Sequence, residues 1–229
     1  MKAPIVLAVD TTNVEQAQSW VHATREHISV IKLGLEFYLA NGAAGVQQVR
    51  SSAPDLKLFL DLKLHDIPNT VAGATAAVAF LKPDFLTVHA SGGEAMISAA
   101  AKALPDGAIT AVTLLTSLSP ETISQLGISG NSEEIVSQWA QIAVSAGAKA
   151  IVASPHEVKR LRSSLSGDID VITPGVRPAG AESGDQARVA TPEEALAWGA
   201  SYVVIGRPIT SGKTLEEIKR NAERISQAL

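Results

Sequence analysis

Short runs of apolar and β-branched residues recur along the chain, and between them lie longer stretches, many Ala-rich, whose apolar positions return every three or four residues. Eight such runs occur: Ile5 to Val9, Val30 to Leu33, Lys57 to Leu62, Phe85 to His89, Ile109 to Leu115, Ala150 to Ala153, Val171 to Thr173 and Tyr202 to Gly206. Their length and residue types predict strands, and the helical period between them predicts helices near Val14 to Glu26, Leu35 to Ser51, Thr70 to Leu81, Glu94 to Ala103, Ser132 to Ala146, Pro155 to Leu165, Pro192 to Trp198 and Leu215 to Ala228. Thr191 before Pro192, with Glu193 and Glu194 in the first turn, is a helix start signal of the usual kind.

Strict alternation of strand and helix is the signature of consecutive βα units and a parallel sheet. Eight units predict an α/β protein of the (β/α)8 TIM barrel class, forming a single domain over residues 1–229. The alternative, a doubly wound sheet, has fewer strands and carries GxGxxG after the first, a pattern not found after Ile5 to Val9. The loosest connections are Gly127 to Glu133 and Pro178 to Arg188. The second is long for a βα loop, which fits a lid or a plain surface loop equally well.

Composition narrows the function. The 46% hydrophobic and 18% charged content of the 229 residues predicts a large interior. A net charge of −4, with 19 scattered Lys and Arg, offers no electrostatic reason for a nucleic-acid partner and leaves small-molecule chemistry as the expectation. With no cysteine, disulfides and thiolate metal sites are ruled out, which suits a reducing compartment and makes the cytoplasm the expected location. The first apolar run stops at Asp10, and Val71 to Leu81 is too short for a span, so neither export nor membrane insertion is expected.

Catalytic groups of a parallel barrel sit at the C-terminal ends of its strands. The polar residues found there are Asp10, Lys32, Asp61, Lys63, His89, Thr116, Ser117, Arg177 and Arg207. Asp61 and Lys63 are two apart in a strand and face the same way, opposite to Leu60, Leu62 and Leu64. Asp66 follows three residues later, where the chain turns before Pro68, so a carboxylate is expected to approach Lys63 from either side. A solvated Asp and Lys ladder is the plainer reading of such a triplet, but the apolar setting and the proximity of Lys32 and Asp10 favour a site. Carboxylates beside Lys63 favour its ammonium form, so it is expected to act as an acid. A Schiff-base lysine needs desolvation or a neighbouring cation instead. Metal chemistry has little support: no HxxxH or HExxH pairs His65, His89 or His156, and lysines compete for the place a cation would take beside Asp61 and Asp66. His65 and His156 are expected to be ordinary loop or surface residues, and His89 either lines the barrel mouth or makes a structural hydrogen bond. A phosphate site is expected where strand 7 runs through Pro174 and Gly175 to Arg177 and strand 8 ends at Gly206 and Arg207.

Together these residues closely resemble those of the orotidine 5′-phosphate decarboxylase family, with the run DLKLHDIPNT as the most specific part and the match extending from Asp10 to Arg207. The resemblance implies cofactor-free loss of carbon dioxide from orotidine monophosphate to give uridine monophosphate, in de novo pyrimidine synthesis. It implies that Lys63 donates the proton, that Asp61 lies beside the substrate carboxylate, and that Lys32 and Asp66 complete the charged array. It further implies that Asp10 binds the ribose, that Thr116 and Ser117 face the pyrimidine, and that Pro174, Arg177, Gln186, Gly206 and Arg207 border or bind the phosphate end. Gln186 lies in the long loop, which favours the lid. A homodimer is also implied, in which Asp66, Ile67 and Thr70 reach the neighbouring subunit's site. Two rivals remain: a magnesium-dependent sugar-phosphate enzyme of the same barrel group, such as 3-keto-gulonate-6-phosphate decarboxylase or hexulose-phosphate synthase, and a nucleotide-binding barrel without turnover. The sugar-phosphate relatives carry a metal-binding Glu where this chain has Lys32. A binder has no need to gather Asp61, Lys63 and Asp66 at one strand end.

Overall fold

The computed structural model describes residues 2–165, 167–178 and 190–229. Eight parallel strands follow one another around a closed barrel, and the last pairs with the first: β1 Ile5–Ala8, β2 Val30–Gly34, β3 Lys57–Leu64, β4 Phe85–His89, β5 Ala108–Val112, β6 Ala150–Val152, β7 Asp170–Thr173 and β8 Tyr202–Ile205. Helices return the chain between strands: α1 Val14–Thr24, α2 Leu35–Ser52, α3 Pro68–Ala79, α4 Gly93–Ala103, α5 Pro120–Gln125, α6 Ser132–Ser145, α7 Val158–Ser164, α8 Pro192–Ala197, α9 Arg207–Thr210 and α10 Leu215–Gln227. None of the described helices is long and apolar enough to cross a membrane.

Side chains alternate across each strand and so sort into two cores. Val6, Val30, Phe59, Phe85, Ala150 and Ile172 form the cluster inside the barrel. Their neighbours Leu7, Ile31, Leu58, Leu60, Leu86 and Val171 face outward and pack beneath the helices. The inner cluster is aromatic toward the strand N-termini: Phe59 and Phe85 lie 5.7 Å apart, Phe85 meets Tyr202 edge-on at 5.7 Å, and the Lys57 ammonium donates to the Tyr202 hydroxyl at 2.8 Å. This filling closes one end of the barrel and leaves space for a ligand at the other.

Local chemistry sets the helix ends. Asn13, Ser119, Asn131, Thr191 and Thr214 each accept a hydrogen bond from a first-turn N–H, and Thr191 with Glu194 completes a reciprocal capping box. The expected start of α3 at Thr70 moves back to Pro68, because proline at the first helical position has its φ already set and lacks only an N–H that would be orphaned there anyway. The strand expected to reach Leu115 ends at Val112, since its neighbour β6 stops at Val152, and Thr113 then uses both its N–H and its hydroxyl on the Val152 carbonyl. The short helices α5 and α9 were not among the predicted stretches. Each buries a single side chain, Ile123 or Ile209, too little for a periodic signal.

Candidate active site

The departures from regular structure gather at the C-terminal end of β3. Leu60 pairs with Leu86 and the next partners are Leu64 and Val88, so Asp61, Leu62 and Lys63 together lie opposite one residue of β4, Thr87. Lys63 takes φ 48°, a left-handed conformation that side chains with a Cβ seldom adopt. Leu62 and Leu64 still face the helices, as the alternation predicts, and the Lys63 ammonium lies against Asp61 of its own strand.

The charged groups then form a line. The Asp10 carboxylate lies 3.7 Å from the Lys32 ammonium, Lys32 lies 3.2 Å from Asp61 Oδ2, and Lys63 Nζ donates to Asp61 Oδ1 at 2.7 Å. Thr87 Oγ1 also donates to Asp61 Oδ1, at 3.1 Å. Asp61 is 9% exposed and Asp10 largely exposed, so the array runs from the barrel rim into its interior. Burial pushes the Asp61 carboxyl up, but the two ammonium groups and their hydrogen bonds together outweigh it and hold the group below the usual carboxylate range. Asp61 is therefore a carboxylate at neutral pH, and each lysine beside it has an anionic partner.

Beside this array is a cavity of about 200 Å³, lined by Lys32, Asp61 and Lys63 together with Phe59, Val112 and Val204. It adjoins a larger one of about 550 Å³ through Leu114, Leu115, Thr116 and Pro174, and Ser117 lines the larger space. Thr116 thus lines both spaces and Ser117 the larger one. The opening carries charge on one part of its wall and apolar side chains on another.

The expected phosphate side falls at β7 and β8. Arg177 is half-buried, with Nη1 donating to the Val176 carbonyl at 2.9 Å, and its strand end is tied to Ala190 by a parallel bridge at Val176. Gly206 precedes α9, and a Cβ there would lie 3.3 Å from Ala8 Cβ and 3.6 Å from Asp10 Oδ2, so glycine lets this turn sit against the end of β1. Arg207 is exposed at the start of α9. Gln186 lies outside the described residues.

One expectation changes. Among the described residues Lys63 makes its one ion pair with Asp61, not with carboxylates on both sides. Asp66 is exposed and turns its Oδ1 to the Ile67 N–H at 2.6 Å. It shares the exposed corner at the head of α3 with Ile67, 66% exposed, and Thr70. His65 is exposed but not isolated, since its ring lies 5.3 Å from that of His89. Burial, followed by the neighbouring His65 and Lys63, pushes His89 below its usual value, so it is neutral near pH 7. Thr87 was absent from the sequence-predicted site, because a threonine inside an apolar strand carries no local mark of function.

The model of the orotidine 5′-phosphate decarboxylase / HUMPS family matches residues 3–221. The chain belongs to this family. Among its relatives is the orotidine 5′-phosphate decarboxylase of Thermobifida fusca, 54% identical over 210 residues that cover 92% of this chain and 90% of that protein. The enzyme of the same name from Sphingopyxis alaskensis is 45% identical over 224 residues, covering 97% and 99%. Among solved structures, the orotidine 5′-phosphate decarboxylase of Lactobacillus acidophilus superposes with a TM-score of 0.82 at 32% identity, covering 98% of this chain and 99% of that one. The family description joins decarboxylases with the HUMPS group, so the geometry at Lys32 matters. Its ammonium sits between the Asp10 and Asp61 carboxylates and would repel a divalent cation brought there.

Proposed function

We propose that this chain is a single-domain enzyme that decarboxylates orotidine 5′-monophosphate to uridine 5′-monophosphate in de novo pyrimidine synthesis, without a cofactor. The reading rests on one observation above the others: an ammonium, Lys63, hydrogen-bonded at 2.7 Å to a buried carboxylate at the edge of a largely apolar cavity. In the reaction the bond between carbon 6 and the carboxylate carbon breaks, carbon dioxide leaves, and the electron pair remains on carbon 6. That pair takes a proton from Lys63 Nζ, and the lysine is reprotonated from solvent. With no electron sink, the carbanion is stabilised by the positive charge held beside it before the bond breaks.

The other residues serve this step. Asp61 holds the Lys63 ammonium and lies beside the substrate carboxylate, and Lys32 is held between Asp61 and Asp10, which binds the ribose. Thr116 and Ser117 face the base, while Pro174, Arg177, Gln186, Gly206 and Arg207 enclose the phosphate, whose binding energy organises the site. Asp66, Ile67 and Thr70 complete the neighbouring site in a homodimer. Supporting this, Ile67 is exposed. A cytoplasmic location follows from the biosynthetic role.

The test uses purified protein treated with a chelator. Orotidine monophosphate is expected to be consumed, as followed by ultraviolet absorbance, and Lys63→Ala should slow turnover by roughly 10³-fold or more while the circular dichroism spectrum is kept. A requirement for magnesium would assign the chain to the sugar-phosphate group, and binding without turnover would make it a nucleotide binder.

A further inference from the structure

We infer that Thr87 is a positioning residue whose hydroxyl holds Lys63 in its left-handed backbone conformation and fixes the Asp61 carboxylate; the inference rests on the decarboxylase reading above. Thr87 is fully buried and lies on the inward face of β4, between Phe85 and His89. In a regular parallel ladder each N–H of β3 that faces β4 would find a carbonyl there. Between Leu60 and Leu64 this fails, because three residues of β3 stand opposite one of β4. The Lys63 N–H donates instead to Thr87 Oγ1 at 2.8 Å.

The direction of both hydrogen bonds follows from the chemistry of the groups. An amide N–H only donates, so the hydroxyl oxygen accepts from Lys63 and its single proton is free for an acceptor. That acceptor is Asp61 Oδ1, 3.1 Å away, which also receives the Lys63 ammonium. One side chain thus bridges the backbone of the lysine and the carboxylate that holds the lysine's ammonium. The loop closed by Thr87, Asp61 and Lys63 determines where Nζ points, while Thr87 itself does not line the cavity.

A valine at this position keeps the shape, removes both hydrogen bonds and takes from the part-buried Lys63 N–H its acceptor. Thr87→Val is expected to lower kcat by roughly 10- to 100-fold, the scale at which a reacting group displaced by an ångström loses rate, with KM changed by less than about three-fold. Thr87→Ser keeps the hydroxyl and should retain at least a third of the wild-type kcat. Should the valine variant not fold, Thr87→Ala, which leaves room for a water, takes its place with the same expected split between kcat and KM. A folded Thr87→Val or Thr87→Ala with kcat within two-fold of wild type overturns the inference, as does a serine variant no better than valine. A crystal structure of the variant separates this from failure of the decarboxylase reading. Lys63 is expected to leave φ near 48°, or its ammonium to leave Asp61, whatever the substrate, and an unmoved Lys63 would refute the assignment even if orotidine monophosphate were not the substrate.

Discussion

Replacing Asp61 by asparagine removes the one negative charge between two ammonium groups while keeping an acceptor for the Thr87 hydroxyl. In the native site the carboxylate meets Lys63 at 2.7 Å and Lys32 at 3.2 Å. At an effective dielectric constant of about 20, the two contacts are worth roughly 6 and 5 kcal/mol before the cost of burial is subtracted. Burial opposes this strongly, yet the carboxyl remains below its usual range, so the balance favours the folded state. Breaking such a pair costs about 3 to 5 kcal/mol where both partners are buried. Lys63 is 31% exposed and can turn partly to water, so the expected loss is about 2 to 3 kcal/mol. In a chain of this size that corresponds to a fall in Tm of roughly 5 to 10 °C. The pH dependence gives a second, sharper reading. Because folding lowers the Asp61 value, its stabilisation is fully present above the unfolded value near pH 4 and is lost as pH falls through the folded value. Urea unfolding of both proteins from pH 7 downward should show a stability gap that is widest at neutral pH and closes in the acid range. An asparagine variant as stable as the wild type at pH 7, or a gap that does not change with pH, would refute the reasoning.

Other expectations follow from the same structure. Phe59→Ala empties the centre of the inner cluster and removes part of the cavity lining, so urea unfolding should register a loss of about 3 to 5 kcal/mol. Arg207→Ala should raise KM for orotidine monophosphate by roughly 10- to 100-fold, the worth of a charge-assisted bond to phosphate, while uridine without phosphate competes equally well against both proteins. Ile67→Asp places a charge on an exposed apolar side chain, and sedimentation should show monomer together with lost turnover; an unchanged monomeric state in both proteins would sink the shared-site dimer.

Much of the architecture was readable one segment at a time. Each strand announced itself as a run of apolar and β-branched residues, and the order of eight βα units led to the closed barrel. Within the run from Asp61 to Thr70 the pairing of Asp61 with Lys63 was legible, because residues two apart in a strand share a face whatever surrounds them. The helix start at Thr191 was equally local, since a cap needs only a side-chain oxygen and the N–H groups a few residues ahead.

What the chain alone did not disclose depends on register between strands. Alternation predicts that Lys63 follows Asp61 on a regular strand, but the pairing with β4 places three residues against Thr87 and turns Lys63 to φ 48°. Nothing within β3 or β4 read singly specifies that offset. Thr87 likewise looked like one more β-branched strand residue, and only its position across the ladder makes it the partner of Asp61 and Lys63. Asp66 shows the converse: close to Lys63 in sequence, it lies exposed before the head of α3, with its Oδ1 on the Ile67 N–H. Local sequence determined which residues carry charge and which elements carry them. Tertiary structure decided which charges meet, because in a parallel barrel the distance between two side chains is set by strand register and twist rather than by their separation along the chain.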